Sequence, residues 1–159
     1  MSLYYDILSE PVGATYERLL AFAIFRSDSF GLVVGAVSGC SPTEQYQEIL
    51  RKLEPYLLET RETDSWPGTQ VFGFAVQLLR YVSVPEVLPT LLSVNGLYRW
   101  QSPDAPDDLH FYTGAGECWL ANTAHESLAW VDAAFCSLEI LAEAVPGIVL
   151  ATRARQSGT

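Results

Sequence analysis

The sequence predicts a single α+β domain, a largely antiparallel sheet packed with helices, on three observations. Its 159 residues are 49% hydrophobic and 12% aromatic, enough for one domain with a real core and unlike a disordered chain. Helical patterns come mostly early and strand patterns mostly late. Strands and helices do not alternate in the regular manner of a parallel βαβ fold.

Each element has a local reason. TYERLLAFAIF (residues 15–25) is apolar nearly all round after its first turn, as in a central buried helix. SFGLVVGAV (29–37) is rich in valine, lies between Asp28 and Gly39, and reads as a strand. In Ser41-Pro42-Thr43-Glu44, Ser41 can cap a helix, Pro42 fits its first position and Glu44 completes a capping box. Tyr46, Ile49, Leu50, Leu53 and Leu57 then recur at helical spacing to about Glu59, and Pro55 should bend the last turns. ETRETDSWPG (59–68) reads as a polar loop ending in a turn, and residues 70–82 as one or two strands, although VQLLRY also suits a helix.

A short helix is expected over 85–94, stopped by Asn95-Gly96. Ser102–Pro106 reads as a Pro/Asp loop. Residues 109–112 and 118–125 form a predicted hairpin, with TGAGE supplying the glycines of its tip. A third strand at 128–131 and a closing helix at 137–145 complete the domain, which spans 1–150. Residues 151–159 are expected to be a frayed tail.

The net charge of −10 argues against non-specific nucleic-acid binding, which needs a basic face to release counterions, and against anionic membranes. It favours a basic protein partner, steered in by the field. Between Tyr81 and Leu150 nine acids face one base, Arg99, which reads first as a solubilising surface and second as a surface for a basic partner. The three cysteines are far apart and form no CxxC, which suits buried thiols in a reducing compartment. MSLYYDILSE lacks the basic start of a signal peptide, and no uncharged apolar run reaches the ~18 residues of a membrane span, so a cytoplasmic protein is expected.

Both histidines, His110 and His125, flank Cys118 in one stretch rich in acids. Zinc needs three or four convergent ligands. If Tyr112 sits opposite Cys118, strand alternation puts His110, Tyr112, Cys118 and Leu120 on one face. It puts His125 on the other, with Trp119, Ala121 and Thr123. No metal and no cofactor are therefore expected. Cys118 lacks a Gly-rich elbow and a marked oxyanion hole, so no catalytic residue is expected, although an enzyme using His110 and Cys118 is the least favoured alternative. Asp104, Asp107 and Asp108 read as a solvated loop cap. Trp66, beside Pro67-Gly68, is the tryptophan expected to be partly exposed. GLVVGAVSG lacks the lysine and the spacing of a nucleotide loop.

Four segments occur in a telling order: DSWPGT (64–69), LYRW (97–100), PDDLHFY (106–112) and CWLANTAHE (118–126). They resemble a group of small, mostly uncharacterised bacterial proteins with a W-P-G-T, L-Y-x-W, P-E-D-L-x-F-Y, W-L-x-x-x-A-H-E pattern. That group looks like immunity proteins that neutralise bacterial toxins. Asp107 stands where the pattern usually has Glu, and His110 where an apolar residue or Cys is common, which weakens a catalytic role for His110. The resemblance implies a non-catalytic, acidic protein-binding domain that occludes a basic partner such as a toxin. Asp104, Asp107 and Asp108 are the candidate contacts, with Trp66 as hydrophobic anchor. The alternative is a structural or assembly module without a ligand.

Overall fold

The computed structural model describes residues 2–155. Among them, eight strands form one sheet in which every pairing is antiparallel, as the α+β reading requires. The strands are β1 (Ser2–Ile7), β2 (Ser29–Val34), β3 (Leu57–Thr63), β6 (Val76–Val82), β7 (Asp107–Tyr112), β8 (Cys118–Thr123), β9 (Leu128–Asp132) and β10 (Leu150–Arg155). Their order across the sheet is β10-β1-β9-β8-β7-β2-β6-β3. A separate two-stranded ribbon, β4 (Ser65–Trp66) and β5 (Thr69–Gln70), turns through Pro67-Gly68.

Four α-helices, α1 (Gly13–Arg26), α2 (Glu44–Leu53), α3 (Leu88–Leu92) and α4 (Leu138–Ala144), cover one face. α1 touches both α3 and α4, and its Leu19, Leu20, Ala23 and Ile24 are buried, as its apolar run demands. The core between helices and sheet includes Phe30, Leu32, Leu109, Phe111, Trp119, Leu120 and Val131. Its polar aromatic atoms are paired: Trp100 Nε1 donates to Tyr16 Oη at 2.9 Å, Tyr16 Oη to the Leu91 carbonyl at 3.1 Å, and Trp119 Nε1 to Ser27 Oγ at 2.8 Å. On the opposite face a smaller cluster joins Val33, Val76 and Leu78 to Trp66 of the ribbon.

Several expectations need correction. Thr43, not Ser41, caps α2, its hydroxyl accepting from the Tyr46 N–H at 3.4 Å. The helix ends at Leu53, and a 3₁₀ turn over Glu54–Tyr56 carries Pro55 into β3. Residues 57–63, expected to be helix end and loop, are an edge strand whose pairing to β6 overrides its polar composition. β1 was not expected at all. It lies between β9 and β10 with Tyr5 and Ile7 in the core.

The tail expected at 151–159 is strand as far as Arg155: β10 pairs with β1 along its whole length. The remainder of that expectation, 156–159, lies outside the described residues. Among the described residues, no helix is long and apolar enough to cross a membrane.

Candidate functional site

The four segments singled out in the sequence converge on Asp108. β7 meets β2 through a bulge: Gly31 stands opposite His110 but Val33 opposite Asp107, so Asp108 and Leu109 share Leu32. Asp108 takes a φ of 58°, a left-handed conformation that Asp tolerates better than most residues. Its N–H donates to the Trp100 carbonyl at 3.0 Å. Its carboxylate accepts from Trp66 Nε1 at 2.8 Å and from the Ala124 N–H at 2.9 Å. Its own carbonyl lies 2.6 Å from His110 Nδ1. One residue thus ties the Trp-Pro-Gly ribbon, the 97–100 turn, β7 and the end of β8 together.

Asp107 is held differently. Its carboxylate accepts from the Ser102 N–H at 3.1 Å and from Ser102 Oγ at 2.8 Å. Burial pushes both carboxyls above their ordinary pKa, offset in part by those hydrogen bonds. The expectation that a Pro-bounded loop displays them is overturned: Asp107 is 4% and Asp108 1% exposed, because they open a central strand. Asp104 alone of the three is exposed, and it lines a different surface cleft. Trp66, expected to be partly exposed, is 7% exposed, its indole consumed by Asp108 and the small cluster.

His110 is wholly buried on the face away from the helices. A carbonyl can only accept, so Nδ1 carries the proton donated to Asp108, and the bare Nε2 accepts from Tyr112 Oη at 2.7 Å. Burial lowers the pKa of this imidazole to about 4, despite the carbonyl that favours its charged form. Cys118 is equally unsuited to attack, since burial raises its thiol to about 12 and holds it protonated.

The parity expected for the hairpin fails in part. Tyr112 does stand opposite Cys118, but the register shifts before Phe111↔Leu120, so Leu120 turns into the helix-side core. Nor does His125 belong to a strand face. It sits in a 3₁₀ turn, Ala124–Glu126, with its side chain 56% exposed and 3.7 Å from Glu126. Among the described residues, no three His, Cys, Asp or Glu side chains converge to hold a metal ion.

Sequence reasoning missed that His125 and Glu126 close over the two aspartates. These four residues, with Trp66 and Val37, line a cleft of about 390 Å³ between the ribbon and the 124–126 turn. Its lining includes Asp107, Asp108 and Glu126 but no Lys or Arg. A second cleft of about 430 Å³ shares Glu126 and runs over β1 and β9 past Trp130. The ribbon stands between them. Gly68 has a φ of 85°, and a Cβ there would lie 2.7 Å from Thr123 Oγ1, so both backbone and space require glycine.

Val37 is 50% exposed at the cleft edge, and the Val71 wall continues into Phe72 and Phe74, which are 82% and 47% exposed. No protein-family model, curated protein or solved structure matches this chain.

Proposed function

We propose that this chain is a non-catalytic binding domain of the cytoplasm that engages a basic protein, as a toxin-immunity inhibitor would. The observation that carries the reading is the cleft around Asp108, acidic in its lining, free of Lys and Arg, and edged by half-exposed Val37. The net charge of −10 adds steering over longer range. Asp107 and Asp108 act here as the fixed acidic floor. Exposed Glu126 is the charged rim.

The test is co-expression with the product of the adjacent gene, followed by association kinetics at several salt concentrations. Glu126→Gln should slow association with no change in melting temperature, and Val37→Ser should speed dissociation about tenfold or more. A complex that forms equally well with both variants, at any salt concentration, refutes the reading.

A further inference from the structure

The outermost strand β3 carries a pattern independent of the cleft. It ends the sheet beside β6, leaving its other edge unpaired, and Leu57 through Glu62 are all exposed. Charged residues on an edge strand ordinarily guard against pairing with a second copy, because like charges meet.

We propose that two copies of this chain pair through antiparallel β3 strands about a two-fold axis at Thr60, joining their sheets into one. Centred there, residues 59–61, beyond the bulge at Leu58, pair regularly with the same residues of the second copy. Glu59 then meets Arg61 of that copy, and Arg61 meets its Glu59. Thr60 faces Thr60, a favourable cross-strand pair.

Faces agree as well. Glu59 and Arg61 stand opposite Arg80 and Leu78 of β6, on the face away from the helices, so the two ion pairs form on one side of the joined sheet. Keeping that face common to both copies restricts the register to steps of two. Centring on Glu59 or Arg61 instead sets two like charges opposite each other. The register centred on Thr60 is therefore the one of matched charge. The other edge, β10, has no such symmetry: it carries Arg153 and no acid to answer it.

Sedimentation equilibrium at about 0.15 M salt, which screens the mutual repulsion of two acidic chains, should show the mass rising with concentration from 17.6 kDa toward the dimer. Arg61→Glu presents acids at both 59 and 61, and Glu59→Arg presents bases at both. Each variant alone should remain a monomer, and an equimolar mixture should form a dimer. Because Glu59→Arg also loses an ion pair with Arg80, Thr60→Lys provides a second variant, placing like charges on the axis, and it too should be a monomer. Far-UV circular dichroism confirms that each is folded. A wild-type monomer at several hundred micromolar overturns the proposal. So does a dimer that survives Arg61→Glu, or a mass that grows without limit through pairing of β3 with β10.

Discussion

Two N–H donors, from Trp66 and Ala124, are aimed at the carboxylate of Asp108, one at each oxygen. Asn in its place keeps the left-handed backbone but offers one acceptor oxygen and an amide that cannot accept. Asp108→Asn should therefore leave a buried donor unpaired and cost about 1–3 kcal/mol in a denaturant melt. Trp66→Phe removes one of those donors and strands a carboxylate oxygen, at a similar cost. The double variant should cost clearly less than the sum, because the Asn amide then faces no N–H. Additive costs would show that the two side chains do not depend on each other. None of this was legible in the sequence. Adjacent aspartates after a proline have the composition of a solvated loop, and only the distant Trp66 and Ala124 make Asp108 a core residue.

Elements were legible where local pattern and tertiary contact agree. The apolar run of α1, the valines of β2, the glycine-tipped hairpin and the closing helix α4 each carry their own signal, and the structure has each. Elements were lost where pairing alone decides. β3 is polar and β10 is rich in arginine, and both are strands because a neighbour offers them an edge. The bulge before Leu120 is one displaced residue, yet it reverses every face assignment beyond it.

Caps show the same limit on a smaller scale, since Ser41 and Thr43 both suit the start of α2. Thr43→Ala should cost about 1 kcal/mol by melting, whereas exposed Ser41→Ala should cost nothing measurable. Equal losses would place the cap elsewhere. Packing gives a sharper case. A methyl at Gly31 would lie 2.2 Å from His110 Nε2, so Gly31→Ala should cost about 1–3 kcal/mol through overpacking of a ring that cannot retreat.

Over the whole molecule, acid stability is set by buried groups of opposite tendency. His110 titrates at about 4 in the folded chain, against an ordinary 6.5 once unfolded. Between those values the unfolded chain binds the extra proton, so stability falls as pH drops from 6.5 toward 4. Asp107 and Asp108 pull the other way. Their folded carboxyls hold protons more tightly than the unfolded ones, so they favour the folded state at low pH and lose that contribution as pH rises through their folded pKa. Acidification also relieves the self-repulsion of a chain with net charge −10. A wild-type melt alone would mix these effects, and a comparison separates them. His110→Asn retains a donor for the Asp108 carbonyl but cannot titrate. Whatever its stability at pH 7, it should lose about 2 kcal/mol less than wild type between pH 7 and pH 4.5. Parallel pH profiles for the two proteins would mean that His110 becomes charged in the folded state near its ordinary pKa. The dry, doubly bonded imidazole between Asp108 and Tyr112 would then be wrong.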